Sequence, residues 1–364
     1  MKNSFWQTLP KPIIALAPMD GITDHAYRHI QKKYGNPSLV FTEFVSVDNI
    51  CSSRYTRFLQ PFLYDESQRP IIGQIYGHIP HLFRQSAVVL CELGFDGIDI
   101  NMGCPATSIA NRGAGAGLIR KPKLAQEIVR ETMAGVTDWR NGMTSADCSD
   151  IRQAMATYVA EQHSKLPINY RGDAGRQRVI PVSVKTRIGY DEPEIDEWVP
   201  ALLETGPVAI SIHGRTLKRK YAGDADWDPI GRAVELAQDS PTLILGNGDA
   251  QSMTDAKRRV GDYGVDGVLI GRASYGNPFV FQEEEALDFA SEEASDLFLR
   301  IAVEHAQVYE QMFTQYERYY FRPMRKHLGW YARFAGHGHE LKKRLHQTES
   351  AGEVETILAD YLAH

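Results

Sequence analysis

Cys104 lies in the stretch NMGCPATSIANRGAGAG, residues 101–117, flanked by a glycine and a proline that fix the local turn. A thiol so placed can attack an electrophile or give up a proton. Attack needs a neighbouring base and a depressed pKa, and no Cys/His/Asn protease pattern surrounds this residue. A thiol with a pKa of about 8.5 is mostly protonated at neutral pH, which favours the general-acid role. Other residues suggest the partner chemistry. GNGD (Asn247, Gly248, Asp249) and IGRA (Gly271, Arg272) set glycines where backbone N–H groups can approach a phosphate. Gln74 and Asn101 can each donate and accept hydrogen bonds at the edge of a pyrimidine-like ring. Lys185 would stabilise an anionic, reduced isoalloxazine, and His213 stands in the same set of motifs. A phosphate at one end and a polar heterocycle at the other describe FMN. Its hydride and the Cys104 proton together would saturate an electron-poor double bond. The GAGAG run is not GxGxxG and follows a loop, so it is read as a tight backbone passage and not as a dinucleotide fingerprint.

These residues need a scaffold that gathers them. Short β-branched apolar runs at 13–17, 39–45, 71–76, 97–101, 181–185, 207–213, 242–247 and 266–271 predict eight strands. Helical patterns lie between most of them, at the spacing of βα units. Eight units predict an α/β fold, a (β/α)8 TIM barrel, whose function gathers at the C-terminal ends of the strands. The candidate residues fall at those ends: APMDG, TEF, GQIYG, NMGCP, VKTRIG, IHGRT, GNGD and IGRA. The gap between the fourth and fifth strands is too long, so residues 136–178 are read as an insertion on the face away from the chemistry. The βα rhythm stops near residue 290. Residues 1–290 are then the catalytic barrel, and 291–364 a helical domain.

Bulk properties exclude several classes. With 43% hydrophobic and 24% charged residues, the chain has an ordinary globular composition. No apolar run approaches membrane-spanning length. The four cysteines (Cys51, Cys91, Cys104 and Cys148) are widely spaced with no CxxC, so no zinc knuckle or disulfide framework is expected, and a reducing, cytoplasmic setting is. The net charge of -6 hides a strong asymmetry. Residues 283–296 are acidic, whereas 315–347 carry eight Lys or Arg against two Glu, interleaved with aromatics. That second pattern fits either a solvated helix face or a phosphate-rich partner.

Taken together, APMDGITD, FTEF, GQIYG, DGIDINMGCPA, NRGAGAGLIRKP, VSVKTRIGYD, HGRTLKRKYAGDADW, GNGD, DGVLIGRA and MRKHLGWY resemble the tRNA-dihydrouridine synthases. The resemblance spans nearly the whole chain outside 136–178. It implies reduction of carbon 5–carbon 6 of a uracil in tRNA by FMN, with NADPH as the reductant. It implies that Cys104 protonates uracil carbon 5. Pro18, Met19, Asp20, Gln74, Lys185 and His213 match flavin-lining positions, and Asn247, Gly248, Asp249, Gly271 and Arg272 match its phosphate end. Asn101 and Tyr221 match positions that meet the uridine or nearby tRNA, and Arg187 matches an arginine close to the site. Arg322, Arg325 and Lys326 fall in the basic segment matched to the tRNA backbone. The insertion, and Tyr76 in place of a smaller residue, depart from the family pattern. The alternatives are an FMN enzyme acting on free pyrimidines and a non-catalytic RNA-binding barrel. Metal and membrane partners are not expected; the oligomeric state is open, with a monomer favoured.

Overall fold

The computed structural model describes residues 4–220, 222–283, 291–316, 319–335 and 338–362. Eight parallel strands close into a barrel in sequence order: β1 Ile13–Leu16, β2 Val40–Ser46, β3 Ile71–Tyr76, β4 Gly97–Asn101, β5 Val182–Arg187, β6 Ala209–His213, β7 Leu243–Asn247 and β8 Gly267–Ile270. Closure comes from β1 pairing with β8, Ile13 beside Gly267 and Leu16 beside Ile270. The strands are short β-branched runs buried on both faces, as a sheet enclosed by helices requires.

The first ten helices are α1 His25–Ile30, α2 Val47–Ser52, α3 Pro80–Glu92, α4 Thr107–Ala110, α5 Pro122–Arg140, α6 Gln153–Lys165, α7 Gly172–Arg176, α8 Ile195–Leu203, α9 Asp228–Leu236 and α10 Met253–Tyr263. Local signals set their ends. Asp24 caps α1 by accepting from Tyr27 N–H at 2.9 Å, Pro80 and Pro122 open α3 and α5, and Gly264 closes α10 in the left-handed conformation.

The insertion departs from expectation in two ways. Helix α5 continues to Arg140, because Trp139 is buried and extends its apolar face, so the extra segment starts later than residue 136. Nor does it keep to the far face. Ser145 N–H and the His163 ring meet Glu92 at the last turn of α3, but Asp150 N–H reaches Gln85 and Arg152 reaches the Ser52 carbonyl, beside the start of that helix. The segment therefore climbs the barrel flank along α3 and returns. The cause is α6: Met155, Ala156 and Val159 form an apolar stripe that α3 buries.

Beyond the barrel, α11 Glu292–Phe313, α12 Met324–Tyr331, α13 Gly338–Leu345 and α14 Ala351–Leu362 follow. Their core, with Phe298, Ile301, Met324 and Leu328, also takes in Ala26 and Ile30 of α1. The helices thus seat on the barrel through α1, and Tyr275 after β8 stacks on Trp330 of α12 at 4.0 Å. No helix of the described residues is long and apolar enough to cross a membrane.

Candidate active site

The turn after β4 is built around Asn101. Its Oδ1 accepts from Gly103 N–H (3.1 Å) and Cys104 N–H (2.9 Å), which holds the NMGCP loop open over the barrel. Its amide donates to Gln74 Oε1 at 3.0 Å. Gln74 in turn donates to Asp99 (2.7 Å), and Ser183 donates to the other oxygen of Asp99 (2.6 Å). Burial pushes the Asp99 carboxyl up to about 6, against these donors and Lys185. The chain of bonds fixes the tilt of Asn101, and hence the height of Cys104. Gln74 is wholly buried beneath the mouth and is not among the side chains lining it. Its amide orients Asn101.

Two glycines let the thiol sit where it does. A Cβ on Gly103 would press within 3.2 Å of the Thr186 backbone, where the loop crosses β5. A Cβ on Gly115 would fall 3.0 Å from that of Cys104, and Gly115 also has a φ of +55°. The GAGAG run is therefore the wall against which Cys104 packs. Burial raises the thiol pKa above its ordinary value, and Asp20 adds to this, while Ala106 N–H and Arg187 pull the other way. The result is a protonated thiol.

Cys104 lines two adjoining chambers, which also share Asp20, Phe44 and Ala106. The first, about 810 Å³, lies over the barrel axis. Pro18, Met19, Asp20, Asn101, Lys185, Arg187, His213, Asn247, Gly248, Asp249, Gly271 and Arg272 all line it. Lys185 Nζ donates to Asn247 Oδ1 at 3.1 Å, and Asn247 donates to the Leu269 carbonyl at 2.9 Å. Burial, and then the Arg187 charge, lower the Lys185 pKa to about 8. His213 is held well below its ordinary pKa by burial and by the charges of Arg187, Lys185, Arg215 and Arg272. Arg187 Nη1 donates to its Nδ1 at 3.1 Å, so the neutral ring carries its proton on Nε2. Arg187 also donates from Nε to the Gly103 carbonyl at 2.7 Å, tying the Cys104 loop to His213. Asp249 accepts from Arg215 and from Arg272, each at 2.5 Å. Against burial, those bonds and charges hold its carboxyl below the usual range. Four cations against Asp249 and Asp20 make the first chamber net positive.

The second chamber, about 600 Å³, opens between the barrel and the C-terminal helices. Its floor is Asp20, Asp24 and Glu43; its walls include Phe44, Phe58, Tyr76, Tyr309, Phe313, Tyr319 and Tyr320. Glu43 owes its place to a β-bulge. Pairing of β2 with β3 runs Phe41–Ile72 and then Phe44–Gln74, one extra residue on β2. Thr42 mends the broken ladder: its hydroxyl accepts from Gln74 N–H at 3.0 Å and donates to the Glu43 carbonyl at 2.8 Å. Burial and the nearby Asp24 charge push the Glu43 carboxyl up to about 8, despite Arg28 and the Gly21 N–H. The TEF motif marks this strand end, but a bulge leaves no sign in a sequence, and Glu43 is absent from the expected site.

The expected residues Arg322, Arg325 and Lys326 fall at the start of α12, and the Lys326 charge acts on Asp20 and Asp24 of the second chamber. Tyr221 lies outside the described residues. Arg325 bonds to the Thr348 carbonyl at 2.8 Å and to Glu349, and Lys326 bonds to the Gly21 carbonyl. These two side chains anchor α12 within the protein, so only Arg322 of that trio is exposed without such an anchor. Lys220, Thr107, Gln251 and Tyr275 line the first chamber unforeseen. No group of three or more His, Cys, Asp or Glu that could hold a metal occurs among the described residues.

A closed eight-stranded parallel barrel with its polar side chains massed at the carboxyl ends of the strands defines a (β/α)8-barrel protein. Within that class the chain belongs to the dihydrouridine synthase family: the model for Dihydrouridine synthase (Dus) matches residues 15–139 and 173–363 and passes over the residues between. A probable tRNA-dihydrouridine synthase of Staphylococcus aureus (strain COL) is 31% identical over 370 residues, covering 100% of this chain and 97% of that protein. The probable tRNA-dihydrouridine synthase 2 of Bacillus subtilis (strain 168) is 32% identical over 365 residues, covering 99% and 97%. Among solved structures, an old yellow enzyme homologue of Zymomonas mobilis aligns with a TM-score of 0.47 at 11% identity, covering 77% of this chain and 91% of that one.

Proposed function

We propose that the protein reduces the carbon 5–carbon 6 double bond of a uridine in tRNA, with FMN in the first chamber, NADPH as reductant and Cys104 as proton donor. Family membership and the names of the relatives support the substrate. The donor set supports the cofactor. A net positive chamber with glycine turns after β7 and β8 suits a phosphate, and the neutral His213 with Lys185 suits the polar edge of a flat heterocycle. Lys185, His213, Asn247, Gly248, Asp249, Gly271 and Arg272 would hold FMN, with Pro18, Met19 and Asp20 along its side; when bound it supplies hydride.

The chain's own residues supply the rest. Cys104 keeps its proton on Sγ at neutral pH and delivers it to carbon 5 of the uracil. Arg187 then lowers the cost of the thiolate left behind. Asn101 holds the loop so that Sγ faces both chambers. The aromatic walls of the second chamber offer stacking to a base taken out of its helix, which offsets a few kcal/mol of unstacking. Residues 1–290 act as the catalytic barrel and 291–364 as a docking surface for tRNA, in the cytoplasm. The reading is carried by one observation, the Cys104 thiol where the two chambers meet. The test is to isolate the protein with its flavin and supply NADPH with tRNA or with free uridine. Dihydrouridine in tRNA alone is expected; reduction of free uridine at an equal rate would overturn the tRNA assignment.

A further inference from the structure

A strongly featured surface borders the second chamber: the turn Arg54–Phe58, RYTRF, after α2. Tyr55 is 43% exposed. The Arg57 guanidinium stands over its ring at 4.2 Å and that of Arg54 at 5.1 Å, with Arg54 donating to the Tyr55 hydroxyl at 3.0 Å. Neither arginine takes part in an ion pair among the described residues, whereas Arg84, Arg120, Arg215, Arg232 and Arg325 each do. Arg57 and Phe58 belong to the rim of the second chamber, the one that contains Cys104.

A guanidinium laid on an aromatic face loses little further freedom on binding and keeps its N–H edge turned outward, the geometry that grips a phosphate through two parallel hydrogen bonds. The charge layout selects the partner. The chamber floor carries the carboxyl groups of Asp20, Asp24 and Glu43, a poor seat for an anion; the rim carries Arg57, with Arg54 beside it across Tyr55. A neutral base can enter while its phosphodiester must stay at the edge. We propose that Arg54 and Arg57, mounted on Tyr55, form a clamp for the RNA phosphates that adjoin the nucleotide entering the Cys104 chamber. The proposal rests on the reading of tRNA as substrate. It puts a backbone grip on the barrel side of the opening, opposite the C-terminal helices.

The experiment uses the flavin-loaded, full-length protein with Arg54→Gln and Arg57→Gln together. An unchanged melting temperature and flavin content verify folding. The double variant is expected to raise KM for tRNA about tenfold with kcat nearly retained, because a rim contact positions substrate without touching the reacting atoms. The slope of log affinity against log salt should shrink by about 1.4, from two phosphates at about 0.7 each. Arg54→Lys with Arg57→Lys should restore the slope. If the unaltered protein forms no dihydrouridine in tRNA, the substrate reading falls and the clamp with it. If it does, and the double Gln variant keeps both KM and slope, the clamp alone is overturned.

Discussion

The chambers on either side of Cys104 differ in sign. One is walled by Lys185, Arg187 and Arg272 with glycine turns between them; the other has a floor of three carboxyl groups and walls of rings. The same thiol serves both, but the surroundings are tuned to different guests. Cations and close backbone approach suit a ligand that ends in phosphate. Carboxyl groups, with Glu43 pushed up to about 8 by burial, beside aromatic faces, suit a flat, uncharged base. On the proposed reading, the contrast teaches that excluding the wrong charge would contribute to specificity as much as gripping the right one.

The sharpest way to break the comparison is at its shared residue. Cys104→Ala should lower dihydrouridine formation by about 10²–10⁴-fold, the usual worth of a positioned general acid, with flavin content and tRNA affinity intact; near-normal turnover would remove the proton-donor role. Next is the cationic chamber. Lys185→Met should weaken flavin retention roughly tenfold, about 1.4 kcal/mol, measured by dialysis against free FMN. With a pKa near 8, Lys185 is a cation below that pH and neutral above it. Flavin retention should therefore fall as pH rises through 8 in the parent protein and hold steady in Lys185→Arg.

Smaller effects belong to the acidic side. Thr42→Val deletes the hydroxyl that serves Gln74 N–H within the bulge and should cost about 1–3 kcal/mol in denaturant unfolding. A stability equal to that of the parent would mean the ladder is mended some other way. Glu43→Gln should be mildest, within roughly threefold of parental activity at pH 7. Its signature is in pH. The Glu43 carboxyl titrates near 8 in the folded chain against an ordinary 4.5. Between those values the folded state holds a proton that the unfolded state has lost, so this group's contribution to stability declines as pH rises from 4.5 through 8. The Gln variant lacks that decline, and melting curves at pH 6 and 9 would reveal the difference.

Much of this was legible in the sequence. Every observed strand falls within one of the expected runs or one to two residues beyond its ends, because buried parallel strands are continuous apolar runs bounded by turn residues. About half of the residues lining the first chamber are equally visible, since strand ends carry them at βα spacing, whereas the second chamber shares only Asp20 and Cys104 with the expected set. What escaped has a common cause, which is that residue type does not disclose which way a side chain goes or what it meets. Gln74 is expected to line the flavin, but its full burial and its bond to Asp99 cannot be read from its type. The partners that Arg325 and Lys326 find within the chain are likewise invisible in their type. The insertion was read from its polar, turn-rich ends, while Met155, Ala156 and Val159 in its middle decide where it packs.

The Gly21 peptide has consequences for how the two parts of the molecule communicate. Its carbonyl is held by Lys326 beside α12 on one side, and its N–H is held by the Glu43 carboxyl on the other. A displacement of α12 would not stop at its own surface. Gly21 thus ties α12 to the carboxyl floor of the second chamber through the two peptide units that flank its Cα, so a single residue couples the helical part to the acid pocket.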